Sequence, residues 1–224
     1  MNKLLLLSMV SCGLFLSSCA ENTDSDKTET KDKEQEIPEI VYNSVKIGTQ
    51  EWMDTNLDVG NFRNGDEIPH AKTTEEWQKA KKEGTPAWCY YADESKEGYG
   101  RLYNWYAVAD ERGLAPEGWH VPSDEEWKTL EDFLGNKIGK KLKGTSDWLD
   151  DGFGDNSSGF NALPAGARVK DGSFNLMNML AYWWSSTESS EDEAYIRALA
   201  YDSDNDHRSN YPKGGGYSVR CLKD

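Results

Sequence analysis

Apolar residues are spread unevenly along the 224-residue chain, and their spacing predicts where structure begins. Leu4 to Leu16 form a short apolar run behind a single charge, Lys3. Ala20 to Glu36 is almost wholly Asp, Glu, Lys, Thr and Ser. Such a stretch cannot bury a core and reads as an unstructured tether. Ordered chain is expected from about Val41. Val45 to Ile47 and Glu51-Trp52 flank Gly48, two strands about a glycine turn. Thr73 to Glu83 reads as a helix, with Thr73 as N-cap and Glu76 three residues on. Trp88 to Ala92 is strand-like. Leu102 to Asp110 places Leu102, Trp105, Tyr106 and Ala109 on one helical face. The clearest helix comes after Pro122: Ser123 and Glu126 form a capping-box pattern. Trp127, Leu130, Phe133 and Leu134 then form a stripe, and Gly135 stops it.

The C-terminal third changes period. Phe160 to Val169, Tyr182 to Thr187, Ala194 to Tyr201 and Tyr217 to Leu222 read as strands between polar loops. In the third of these, Ile196, Ala198 and Ala200 share one face; Tyr195, Arg197, Leu199 and Tyr201 share the other. Short helices early and an antiparallel sheet later predict an α+β fold.

The N-terminal apolar run is too short to span a bilayer, which takes ~20 apolar residues, and reads as an export signal. It leads into Leu16-Ser17-Ser18-Cys19. This resembles the lipobox of bacterial lipoproteins, where small residues admit the peptidase and the Cys thiol takes a diacylglyceryl group. The resemblance implies cleavage after residue 18, an acylated Cys19 and attachment to a lipid bilayer. Each buried CH2 of the acyl chains contributes ~0.8 kcal/mol to that attachment. The division expected is therefore signal 1–18, lipidated Cys and tether 19–40, and folded domain 41–224. The acidic start of the tether, Glu21 to Asp26, also resembles export signals of Bacteroidetes surface lipoproteins, with a solvated spacer as the alternative. The expected location is the outer membrane, at the cell surface or its periplasmic face.

Charge narrows the partners. Without Lys3, 24 basic residues face 40 acidic ones. That balance argues against nucleic acid, whose phosphates need clustered Lys and Arg, and against direct contact with an anionic membrane surface. Cys12 leaves with the signal, so Cys89 and Cys221 remain. An oxidising compartment favours a Cys89–Cys221 bridge; the alternative is two separate buried thiols.

Candidate chemistry is sparse. The chain has 9 Trp and 11 Tyr. Trp52, Trp105, Trp119 and Trp127 fit a core, since large aromatics are mostly buried. Trp148 in an acidic loop, Trp183, Trp184, Tyr201 and Tyr211 are candidates to stack on a glycan or touch a protein. Asp202, Asp204 and Asp206 alternate and are candidate calcium ligands. However, His207 and Lys213 stand where an EF-hand loop needs Gly and Glu, and solvated hairpin acids are the alternative. His70, His120 and His207 lack metal-ligand spacing. His120, between Trp119 and Val121, reads as a satisfied buried histidine. Gly214-Gly215-Gly216 reads as a hairpin turn. No catalytic set and no required cofactor emerge from these residues.

Several stretches together resemble one family: Gly48 to Met53 with Asn56-Leu57; Gly100 to Ala107; Pro116 to Pro122 with Glu126-Trp127; Gly159 to Gly166; Trp183 to Thr187; and Tyr217 to Asp224. They are similar, in order, to the Fibrobacter succinogenes major paralogous domain. The resemblance implies a fold like C-type-lectin-like domains and formylglycine-generating enzymes: a small twisted antiparallel sheet, two or three short helices and long irregular loops. It does not imply a defined activity. Those enzymes use a close C-terminal Cys pair, and only Cys221 stands in this region. The expectation is thus a non-enzymatic domain binding a glycan or protein. A structural envelope component, or an enzyme of unknown reaction, is the alternative.

Overall fold

The structure, a computed structural model, describes residues 42–224. The signal, Cys19 and the tether lie outside the described residues. The elements in order are β1 (Ser44–Ile47), β2 (Gln50–Met53), α1 (Thr74–Glu83), β3 (Trp88–Cys89), β4 (Leu102–Tyr103), α2 (Trp105–Val108) and β5 (Trp119–His120). Then come α3 (Asp124–Leu134), α4 (Ile138–Leu142), β6 (Ala167–Arg168), β7 (Phe174–Asn175), β8 (Leu180–Glu188), β9 (Glu193–Ala200), β10 (Asp206–Pro212) and β11 (Leu222–Lys223). This is the α+β plan expected. Among the described residues no helix is long and apolar enough to cross a membrane.

Both main helices begin as their sequences predict. Thr73 and Ser123 each accept the backbone N–H of the third helical residue. Glu76 and Glu126 return the bond to the cap. Each box satisfies two otherwise orphaned donors, and losing such a cap costs roughly 1 kcal/mol. Gly84 and Gly135, both at φ 65°, end the helices.

The centre is an antiparallel sheet of order β10-β9-β8. Alternation along β8 and β9 feeds two different apolar clusters. Tyr182, Trp184, Ile196 and Ala198 join the one built with Tyr103, Tyr217 and Val219. Ala181, Trp183 and Leu199 join the one with Trp52, Trp127 and Phe160. The sheet is therefore covered on both faces, and even Arg197 is buried, ion-paired to Asp124 and Glu131 of α3. Burying each Leu- or Ile-sized side chain contributes roughly 1.5–3 kcal/mol.

A second sheet, of order β1-β2-β11-β5, closes the domain end to end. The C-terminal segment works as a seam rather than a strand. Tyr217 bonds Tyr103, Ser218 bonds Tyr182 and Trp184, Val219 bonds Leu57, and Cys221 bonds Met53.

Several expectations need correction. The expected helix at Leu102 to Asp110 shrinks to α2, because Leu102 and Tyr103 pair with β3 and Asn104 caps the short helix after it. Phe160 to Val169 is mostly irregular, with Asn161 at φ 53° and only β6 regular. Phe133 leaves the stripe and is 63% exposed, its ring lying over Gly48. The polar segment 206–212 is a strand, β10, at the exposed sheet edge, where charged residues suit solvent and discourage edge pairing. The glycine run is no hairpin. A Cβ on Gly214 would meet Lys81 at 2.3 Å and one on Gly216 would meet Trp77 at 2.9 Å, so α1 and the Arg168 side chain pass directly over it.

Candidate functional site

The stretches that carry the family resemblance meet inside the molecule. Asn56 is fully enclosed and acts as a hub. Its Oδ1 accepts from Trp183 Nε1 at 2.9 Å and from Arg220 Nη2 and Nε at 2.8 and 3.1 Å. Its Nδ2 donates to the Tyr99 carbonyl at 2.9 Å. Arg220 also donates to the carbonyls of Met53 and Phe160 and lies over the Phe160 ring. Burial pulls the Arg220 pKa below its ordinary value. Neutral oxygens accept this cation's hydrogen bonds, and the Asp54 carboxylate acts on it only through space. The network is sealed from solvent, so it holds the fold and touches no ligand.

That placement removes three of the five aromatic ligand candidates. Trp183 and Trp184 are buried. Trp148 is 5% exposed, its indole N–H donating to the Ala162 carbonyl at 3.2 Å. Acidic neighbours in sequence suggested exposure, but the ring turns inward past them. Tyr201 and Tyr211 are half-buried and pack against the two core clusters.

The calcium candidates separate. Asp206 faces Glu131, Asp204 approaches Lys137 at 3.7 Å, and Asp202 is exposed. No group of three metal-holding side chains exists among the described residues. The loop instead encloses a cation of the protein's own. Lys143 Nζ donates to the carbonyls of Ser203, Ala200 and Tyr201 at 2.9, 3.1 and 3.4 Å, and the residue is buried. An ammonium thus occupies the carbonyl-lined centre of this loop.

No disulfide joins Cys89 and Cys221. Cys89 packs in the cluster under α1, Cys221 in the large central one. Burial pushes the Cys221 thiol well up, which removes its thiolate and its reactivity. His120 is only partly buried. Its Nδ1 lies 2.7 Å from Asp224 and its Nε2 2.9 Å from Glu126. Burial lowers its pKa, but the hydrogen bonds to the two carboxylates outweigh this and the net shift is upward. With both nitrogens committed, this histidine ties the C-terminal residue to the start of α3.

What remains accessible is a face made by loops. Phe153 at 45%, Leu149 at 39% and Leu176 at 37% are, with Phe133, the exposed large apolar side chains among the described residues. Backbone bonds bring their loops together: Leu149 N donates to Asn178 O at 2.7 Å, and Tyr201 N to Met179 O at 2.9 Å. Gly152 lies so close to Tyr201 that a Cβ would come within 2.1 Å of its carbonyl. Asp147, Asp150, Asp151, Leu176 and Asn178 all adopt positive φ here. Held strain of this kind costs about 1–3 kcal/mol per residue and concentrates at working surfaces. Lys96 reaches Asp147 at 3.5 Å and lies over the Tyr99 ring at 4.0 Å, linking this face to a neighbouring cleft. The cleft, with a cavity volume of about 10 Å³, is lined by Tyr91, Glu94, Lys96, Tyr99, Leu102 and Met177. Small-molecule sites typically run to roughly 300–1,000 Å³, so this cleft is a shallow dent and not a ligand pocket by itself. Sequence reading missed the face because its apolar members are isolated among turn residues.

Fold and site together define an α+β domain whose aromatic motif residues build the core and whose loops build the accessible face. Residues 45–223 match the family described as the Fibrobacter succinogenes major domain, and the chain belongs to that family. No curated protein and no solved structure matches it.

Proposed function

We propose that the protein is an outer-membrane lipoprotein, held on the bilayer through acylated Cys19, whose folded domain is a non-enzymatic binding module. On this reading it takes a glycan or protein partner at the loop face around Leu149, Phe153 and Leu176. The observation that carries it is the gathering of exposed apolar side chains on adjoining loops beside a cleft, while most of the other large aromatics are packed inside. Exposed apolar side chains gathered on adjoining loops often mark interaction sites. A lectin-like fold is in keeping with small antiparallel sheets, short helices and long loops. We favour binding over catalysis because His120 and Arg197 serve structure elsewhere in the domain: His120 is held by two carboxylates, and Arg197 by Asp124 and Glu131.

The test is to probe the full chain in detergent micelles with an array of envelope glycans and with purified envelope proteins. Saturable binding that Leu149→Ser with Phe153→Ser abolishes, at unchanged melting temperature, supports the reading. Binding that survives both substitutions overturns the placement of the site.

A further inference from the structure

We infer that the occupant of the loop face is a basic, amphipathic protein segment, one that sets an apolar side chain against Leu149 and Phe153 and cations against the surrounding carboxylates. This rests on the binding role proposed above and names the partner's chemistry. The residues from Thr145 to Ser158 include Asp147, Asp150, Asp151 and Asp155 and no Lys or Arg. Asp150 and Asp151 are exposed and, among the described residues, have no ion-pair partner. They bracket the face directly, between Leu149 and Phe153. Asp202 extends the acidic rim, since Gly152 packs on Tyr201 beside it. Of the cations beside these loops, Lys96 pairs with Asp147 and Lys143 is buried under three carbonyls, which leaves Asp150 and Asp151 unmatched.

Charge decides among the occupants. The chain's own tether, from Glu21 to Glu39, carries eight acidic and three basic residues and would be repelled. A second copy brings a net charge of −15. Anionic lipid, nucleic acid and acidic polysaccharide fail for the same reason. A neutral glycan can donate hydroxyls to the carboxylates but leaves their charge unmatched. A segment alternating Lys or Arg with Leu or Phe matches both that charge and the exposed apolar side chains, and its long-range attraction to the acidic rim would speed encounter.

The experiment titrates the full chain in micelles of neutral detergent with three labelled peptides of equal length. One alternates Lys and Leu, one is all Lys, and one alternates Glu and Leu. A neutral glycan array runs in parallel. The expected result is saturable binding of the Lys/Leu peptide alone. It should weaken about tenfold or more in Leu149→Ser with Phe153→Ser, which leaves charge unchanged, and similarly in Asp150→Asn with Asp151→Asn. Raised salt should weaken it further. Equal binding of the all-Lys peptide, or binding indifferent to the serine variants, overturns the inference. Glycan binding lost in those serine variants, with no peptide binding, overturns the partner class and leaves the face's binding role intact. Binding of neither ligand overturns both.

Discussion

Replacing Asn56 by Ala removes the hub of the buried network and tests whether the motif residues act through stability. The side chain accepts three hydrogen bonds and donates to Tyr99 O and Ser218 Oγ. Two of the accepted bonds come from the Arg220 cation, which keeps only the Met53 and Phe160 carbonyls afterwards. A hydrogen bond to a charged group is worth ~1.5–3 kcal/mol, and a buried donor left unpaired costs ~1–3 kcal/mol. Water entering the gap recovers part of this, so the expected loss is about 3–5 kcal/mol, as when one member of a buried charged pair is removed. For a domain of this size each 1 kcal/mol lowers Tm by roughly 2–4 °C. Asn56→Asp keeps the acceptor, gives Arg220 a counter-charge and loses only the donor, so it should cost less than Asn56→Ala. Urea unfolding followed by tryptophan fluorescence measures both, and Arg220→Met with the double variant completes the cycle. The double variant should cost clearly less than the sum of the singles. A loss below ~1 kcal/mol for Asn56→Ala, or additive single effects, would refute the reasoning.

Other consequences are more local. Cys19→Ala should abolish metabolic labelling of the protein by a fatty acid, and persistent labelling would sink the lipid anchor. Lys143→Met should destabilise by about 2–4 kcal/mol, because three loop carbonyls lose their cation. In the parent chain millimolar calcium should leave the melting temperature unchanged, since the ammonium already holds those oxygens; a calcium-dependent rise would restore Asp202, Asp204 and Asp206 as ligands. His120 has a folded pKa above its ordinary 6.5, so its stabilisation is complete below that value and is lost as pH rises through the raised one. Stability should therefore fall from about pH 6.5 upward, and His120→Gln should flatten that limb in pH-dependent urea unfolding.

Features set by near neighbours were legible in the chain, and features set by distant ones were not. The capping boxes at Thr73 and Ser123 involve residues three apart, and both helices start where the pattern places them. The alternation of β9 was equally plain, although only the fold reveals that both its faces are covered. His120 looked buried because its sequence neighbours are apolar. Its actual partner Asp224 lies 104 positions on and holds it at the surface. The alternating Asp residues suggested a metal because the competing cation, Lys143, is 57 positions away from the carbonyl of Ala200. A Cys89–Cys221 bridge was expected from the compartment, but pairing requires proximity, and the two thiols pack in separate clusters. The loop face was hidden for a related reason. Leu149, Phe153 and Leu176 show no period, and only chain closure through Asn178 and Tyr201 brings their loops together.

The interior also changes what the acidic composition means. Lys143, Arg168, Arg197, Lys213 and Arg220 are all buried. Three of them spend their charge mainly on neutral oxygens: Lys143 on the 200–203 loop, Arg168 on the carbonyls of Ala71, Thr73 and Gly172, and Arg220 on Asn56, Met53 and Phe160. Among the described residues these three make no ion pair with a surface carboxylate. Net charge counts them against the 40 acidic residues, yet a partner approaching through water meets mostly the exposed acids. Burial in carbonyl-lined sites therefore makes the outer surface more negative than the sequence total of −15 suggests. At the 200–203 loop the buried Lys143 still acts through space on Asp204 and Asp202 and offsets part of their charge. The preference proposed for a cationic partner at Leu149 and Phe153 therefore rests on Asp150 and Asp151, which are exposed between them.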